Sequence, residues 1–392
     1  MHLLTSAIQP YAWGSRSAIA ALQGRPFPTA TPEAELWLGA HPASPSRIGN
    51  GVGLDAALAE HPEWLGAYTE ERFSKLPFLL KVLAADTALS IQAHPSLSQA
   101  REGFLRENAA GIPLTAAFRN YKDDNHKPEL LCALSSFEAL SGFRHPIALA
   151  AIFDLLGAEP FLSWAKYLRQ AAPEEALRFL FGTSMGLDAE PRAKAIDALV
   201  NGAWRLRSHS AEFVKVADWI VNLADIYPGD AGVLSVLFLN YIALEPGEAM
   251  YLPARRLHAY LKGTGIEVMA NSDNVLRGGL TPKHVDVPEL LRVLQFVPDE
   301  VAVMRPAMGL ETTFTTEAAE FELSRIAVDG AWGARALGPE ILLAVSGSLT
   351  AASGETLASG YGAFVPAGES FELVGKGVVF RAKVPGAYCG PA

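Results

Sequence analysis

Short apolar runs alternate with Gly, Pro and Asn punctuation from Glu35 to Ile91, and the stretch from Leu76 to Pro95 carries two such runs bracketing Ala85-Asp86-Thr87. Runs of this length, bounded by turn residues, predict buried strands. A different texture begins at Pro146. Segments starting at Pro146, Pro173 and Pro191 place apolar residues at helical spacing, and the first two end at Gly157 and Gly182. Proline at the first helical position and glycine just past the last mark helix boundaries, so the pattern predicts a helical block over 146–228. After the turn at Tyr227-Pro-Gly-Asp-Ala the strand texture returns.

One internal comparison adds to this picture. Leu244 to Ala254 and Leu357 to Ala367 share the spacing Leu-x-x-Gly-x5-Pro-Ala. A turn glycine, a strand and a strand-ending proline at matched positions suggest two copies of one β-sandwich unit, a jelly roll of the cupin kind. Four residues after Ala254 stands His258, and four after Ala367 stands Phe371. The first copy thus keeps a polar ligand where the second is filled by an aromatic.

The chain of 392 residues has room for two or three domains, and with half its residues hydrophobic and 19% charged it lacks the composition of a disordered chain. A net charge of −10 gives no bulk attraction for phosphate backbones or anionic lipid, which argues against nucleic acid as a partner. Two cysteines, Cys132 and Cys389, allow at most one bridge and show no ligand spacing, as expected of a reduced, cytoplasmic protein. Met1 to Pro10 has no Lys or Arg ahead of an apolar core and does not read as a signal peptide. The most apolar stretch, Ala231 to Leu244, is interrupted by Ser235 and Asn240 and is shorter than the roughly 18 residues of a spanning helix, so no membrane partner is expected.

Candidate chemistry lies at the strand ends. Alternation along Ser90-Ile-Gln92-Ala-His94 puts Ser90, Gln92 and His94 on one face. In His126-Lys127-Pro128-Glu129, Pro128 pushes Lys127 towards extended backbone, so Lys127 and Glu129 share a face. Glu129 runs straight into the apolar Leu130-Leu-Cys-Ala-Leu, which carries its carboxylate inward, where it needs a pairing partner or a metal. His258 follows an apolar strand in the same way. Two histidines, one carboxylate and one amide oxygen form a mixed N/O set suited to zinc, with positions left for substrate oxygens.

These segments resemble the type I mannose-6-phosphate isomerases over nearly the whole chain. The blocks that carry the resemblance are Tyr11-Ala-Trp13-Gly-Ser15, Ala34-Glu-Leu-Trp-Leu-Gly-Ala-His41-Pro, Leu76 to Leu83, Ser90 to Pro95, His126 to Glu129, and Glu267 to Lys283. The resemblance implies one Zn2+ per chain held by Gln92, His94, Glu129 and His258. It also implies a mainly β fold, a double cupin or jelly-roll architecture with an inserted α-helical domain. The corresponding division is 1–145 and 229–304 for the catalytic cupin, 146–228 for the helical insertion and 305–392 for a metal-free C-terminal jelly roll. Before the zinc histidine, where the family shows small residues, this chain has Arg255-Arg256, which predicts an altered loop at the active-site entrance.

The implied reaction interconverts mannose 6-phosphate and fructose 6-phosphate by moving a proton between C1 and C2 through a cis-enediol. It needs a Lewis acid, a proton-transfer group and a cation for the phosphate. Lys127 and Glu267 are the proton-transfer candidates. By resemblance Arg277 is the active-site arginine, Lys81 and Ser90 contact the phosphate, and Trp13 walls the sugar pocket. Asp273, in an Asn-Ser-Asp-Asn turn, reads equally as a turn former and as a substrate contact. The partner is then a small sugar phosphate, and a monomer fits. Two other readings stay open: an isomerase of another or unphosphorylated sugar, and a non-catalytic sugar-phosphate sensor.

Overall fold

The computed structural model describes residues 1–307 and 309–388, which form two antiparallel sheets and a helical layer. In the first sheet the strands run Val303–Met304, Ala249–Leu252, Glu129–Ala133, His258–Ala270, Phe78–Ala85, Glu35–Leu38, Ala7–Gln9. In the second they run His2–Leu4, Gly362–Val365, Glu340–Ala351, Ser370–Lys383, Glu322–Arg335, Glu311–Phe314. From the first strand of each order onward the two sheets match strand for strand until the second ends. The Leu-x-x-Gly-x5-Pro-Ala repeat is therefore structural, with Gly247 and Gly360 both at positive φ in the corresponding turns.

Register repeats as well as order. Glu129 lies opposite Leu252 and Glu340 opposite Val365, each pairing with the residue before the repeat's proline. Two residues on, Leu131 faces Glu267 and Leu342 faces Arg381. Glu340 and Arg381 thus occupy the positions that hold Glu129 and Glu267 in the first unit. Arg381 donates to both oxygens of Glu340, Nε at 2.7 Å and Nη2 at 2.5 Å, and Tyr388 adds its hydroxyl. Phe371, the counterpart of His258, packs edge-on against Trp332. The second unit has closed its bowl with an ion pair and aromatics.

The helical layer interrupts the first unit between the strands Phe137–Phe143 and Leu239–Leu244, where the second unit has only residues 352–355 between Glu340–Ala351 and Thr356–Ala358. Its helices are Pro146–Leu156, Phe161–Leu168, Pro173–Met185, Ala189–His209 and Glu212–Ile226, and Gly157 caps the first in a left-handed conformation. Three boundaries differ from expectation. The third helix continues through Gly182 to Met185. Gly232–Phe238, expected to be strand, is a helix buried at every position; an apolar run covered on all sides carries no periodicity to distinguish the two. The strand His2–Leu4, placed by the sequence in the first unit, pairs with Gly362–Val365 of the second.

One apolar core, including Leu38, Leu80 and Ile266 from the first sheet and Leu323, Ile341 and Phe380 from the second, joins the two units. Among the described residues no helix is long and apolar enough to cross a membrane. Cys132 is buried, and burial pushes its thiol up to about 12. Cys389 lies outside the described residues.

Glu340 has no exposed surface, so truncating Arg381 strands a buried charge. Arg381→Ala is expected to lower the free energy of urea unfolding by about 3–5 kcal/mol. A loss below about 1 kcal/mol would mean that the pair contributes little to holding the second unit closed.

Candidate active site

The strand His258–Ala270 organises the site. Its first residue lies opposite Gln92, and further along Glu267 lies opposite Lys81 on one side and Leu131 on the other. Residues directly opposite in an antiparallel pair project to the same face, as do residues two apart along a strand. Glu129, Glu267 and Lys81 therefore share the inner face of the sheet, together with Trp37 and Glu35 from the next strand. Ser90 and Ile91 precede the strand rather than lie in it, since only Gln92–Ala93 pairs. Ile91 instead exchanges backbone hydrogen bonds with Gly278 and Gly279, and this anchors the segment.

At the centre, the Nε2 atoms of His94 and His258 lie 3.5 and 3.4 Å from the two oxygens of Glu129. All three residues are buried, with 1, 0 and 2% exposure. The other ring nitrogens are occupied: Nδ1–H of His94 donates to the carbonyl of Asn274 at 2.7 Å and that of His258 to the carbonyl of Arg256 at 3.1 Å. With Nδ1 of each ring turned to a carbonyl, the Nε2 atoms of both face the carboxylate. His94 Nε2, His258 Nε2 and Glu129 Oε2 accordingly have no hydrogen-bond partner. Three acceptors aimed at one point, within 4.8 Å of one another, fit a cation of zinc's ligand preference.

Charge around this point is unbalanced in the same sense. Lys127 Nζ stands 3.2 Å from Glu129 Oε1. Lys81 is enclosed between Glu35 at 3.6 Å and Glu267 at 3.3 Å. Burial pulls Lys81 down, but the two carboxylates outweigh it and hold the ammonium above its ordinary value. Burial lifts Glu267 above the usual carboxylate range, with Lys81 opposing the shift and Glu129 and Glu35 adding to it. Tyr260 donates its hydroxyl to Glu267 at 2.8 Å, and Trp37 donates Nε1–H to Glu35 at 2.7 Å. Three carboxylates thus crowd two lysines in a dry interior, an arrangement that one further cation relieves.

A cavity of about 560 Å³ opens onto this cluster and is lined by Trp13, Lys81, Ser90, Gln92, Lys127, Glu129, Glu267, Asp273 and Arg277. Every sequence-derived candidate is therefore gathered here, with the two histidines buried behind Glu129. Lys81 departs from its expected part, because an ammonium already shared by two carboxylates is not a free cation for phosphate. The cations of this wall with no carboxylate in reach, among the described residues, are Arg277, lowered by burial, and Lys283, lowered by burial and by Arg277. Asp273 is bound to His41 Nε2 at 3.4 Å, which lowers its carboxyl. Arg255 and Arg256 point elsewhere: Arg255 Nε donates to the carbonyl of Val293 at 3.1 Å and Arg256 pairs with Asp299 at 2.5 Å, lining a separate small cavity. Neither lines the larger cavity. Sequence reasoning missed Lys283, Tyr260, Glu35 and Trp37; Tyr260 was accessible, standing two residues from His258 on the same strand.

A family model described as "Phosphomannose isomerase type I, catalytic domain" matches residues 1–146. The chain is 39% identical to mannose-6-phosphate isomerase of Escherichia coli (strain K12) across 94% of this chain and 96% of that one. It is 35% identical to mannose-6-phosphate isomerase of Bos taurus across 89 and 88%. Among solved structures, a mutant of phosphomannose isomerase from Salmonella typhimurium superimposes with a TM-score of 0.89 at 38% identity, covering 98% of this chain and 99% of that one. A holo, zinc-bound mannose 6-phosphate isomerase does so with 0.89 at 36% identity over the same shares. Full-length identity of this order, on a shared fold and around a buried two-histidine, one-carboxylate centre, places this chain in the type I phosphomannose isomerase family.

Proposed function

We propose that the protein is a zinc-dependent aldose–ketose isomerase that interconverts mannose 6-phosphate and fructose 6-phosphate. The observation that carries this reading is the set of three buried, unpartnered acceptors of His94, Glu129 and His258 opening onto a cavity lined by Lys127, Glu267 and Arg277. His94, Glu129 and His258, with the Gln92 amide oxygen opposite His258, would hold one zinc per chain, and the bound metal would supply Lewis-acid charge that offsets negative charge developing on the sugar oxygens. Lys127 and Glu267 are the residues to hold and move the C1–C2 proton. Glu267, kept above the usual carboxylate range and bonded by Tyr260 and Lys81, is poised to accept and return a proton without leaving its place. Arg277 carries the charge to steady an enediolate. Lys283 and Ser90 fit the phosphate, Trp13 the sugar face, and Asp273 a hydroxyl, with His41 fixing its orientation.

Arg255 and Arg256 face away from the cavity, so nothing in its lining favours an unphosphorylated sugar. We place the catalytic cupin at 1–145 and 229–304, without the strand His2–Leu4, around the helical insertion, and the closed jelly roll from 305 onward. A cytoplasmic setting fits the free buried thiol of Cys132 and a small phosphorylated substrate.

The direct assay compares turnover on mannose 6-phosphate and on mannose. The phosphorylated sugar should be preferred by at least about a hundredfold in kcat/KM, since the phosphate gains charge-assisted bonds; comparable rates favour the other-sugar reading, and tight binding with zero turnover the sensor. Glu129→Ala and His258→Ala are each expected to lose zinc and activity together, because each removes one of few ligands, whereas metal content unchanged in both would refute the assigned centre. Arg277→Lys should keep zinc and lower kcat by about a hundredfold with little change in KM, because an ammonium cannot reproduce the planar, multi-donor contact. Lys283→Ala should instead raise KM with a smaller effect on kcat. The opposite pattern in the two variants would exchange their roles.

A further inference from the structure

His126 donates its Nε2–H to Oε1 of Glu320 at 2.8 Å, a bond from the first unit to the second. Glu320 is 7% exposed, and its other oxygen is buried without a partner. A desolvated carboxylate whose one side-chain hydrogen-bond partner is an imidazole, beside its own backbone N–H, is costly, so its placement calls for an explanation. It cannot withdraw, because the neighbouring Phe321 and nearby Ala318 are packed into the core shared by the two sheets. The loop that carries His126 is fastened on its other side from the first unit. Ser272 Oγ and Asn274 Nδ2 both donate to the carbonyl of Asn125, at 3.1 and 2.8 Å, and Asn125 Nδ2 donates to the carbonyl of Asn271 at 3.0 Å. Beyond His126 the backbone has little freedom, since Pro128 restricts Lys127 to extended conformations. His126 is thus the last fastened side chain before Lys127, whose Nζ stands 3.2 Å from Glu129.

We infer that Glu320 is a positioning residue for the reaction. The closed C-terminal jelly roll reaches across the shared core and, through His126, sets where Lys127 stands in the cavity. The inference rests on the assignment of Lys127 to proton transfer. It gives the second unit a part in catalysis even though its own bowl is filled. A general acid or base displaced by about 1 Å loses rate while the rest of the site still binds substrate, which separates this role from a purely structural one.

The test measures kcat, KM and zinc content for Glu320→Met, which keeps similar bulk and removes the acceptor. The expected result is a kcat lowered at least about tenfold, KM within about twofold, and zinc still near one per chain. Glu320→Gln, which retains an acceptor, should recover at least half of the lost kcat. In a Lys127→Ala background Glu320→Met should cost less than about twofold, because the group it positions is gone. A full tenfold loss in that background overturns the inference and leaves the assignment of Lys127 standing. Loss of zinc in Glu320→Met also overturns it, by moving the effect to the metal centre. Wild-type turnover in Lys127→Ala brings down both readings together. If Glu320→Met does not fold, Glu320→Asp, which draws the carboxylate back by one methylene, tests the same bond: a lowered kcat absent in the Lys127→Ala background supports the inference, and wild-type kcat overturns it.

Discussion

A carboxylate withdrawn from water and set against two imidazole lone pairs is stable only with a cation between them, and the fold imposes that situation on Glu129. Its two oxygens face His94 Nε2 and His258 Nε2 within 3.5 Å, and backbone carbonyls have already taken the proton-bearing nitrogens of both rings. Lys127 alone does not resolve it, since it approaches one oxygen and leaves the other orphaned. The second unit shows the same position satisfied from protein alone. Glu340 is buried at the matching point in the sheet, and there Arg381 and Tyr388 satisfy its oxygens from protein. Two copies of one framework have met the cost of the same buried carboxylate in two ways, and the one without a guanidinium leaves its acceptors unpartnered and open to the cavity.

The rest of the architecture follows from keeping that centre open yet dry. The strand His258–Ala270 carries His258 at one end and Glu267 nine residues on, and its partners bring Gln92, Glu129 and Lys81 to the same face. The helical layer, inserted at a connection that is a short turn in the second unit, buries Gly232–Phe238 and packs Gly232 against Gly279, beside Arg277. A Cβ at Gly279 would fall within 2.5 Å of Gly232, so both glycines are needed for this close approach. The layer thereby supports the wall on which Arg277 and Lys283 stand.

Much of this was legible in the sequence, for identifiable reasons. Strand ends at Gln92, Glu129 and His258 could be read because each follows or precedes an apolar run, and Pro128, Pro253 and Pro366 punctuate those runs. The repeat was visible in four identical residues at matched spacing over eleven positions because turn geometry demands glycine and proline at fixed places. What escaped was long-range pairing. Nothing local in Lys81 announces that Glu35 and Glu267 will enclose it, since the three come together only through the register of three strands. The direction of Arg255 and Arg256 depended on Val293 and Asp299, far along the chain, and the His126–Glu320 bond spans 194 positions. Gly232–Phe238 was misread because an element buried on every side has no polar face to reveal its period.

The three converging acceptors of His94, Glu129 and His258 call for the metal at their meeting point and nowhere else. Anomalous diffraction at the zinc absorption edge, from crystals of the protein supplied with zinc, locates it. The expected result is a single strong peak per chain, bounded by His94 Nε2, His258 Nε2 and the Glu129 carboxylate, with the Gln92 amide oxygen turned towards it. A peak elsewhere in the cavity, or a second one beside Glu340 and Phe371 in the closed jelly roll, would contradict it.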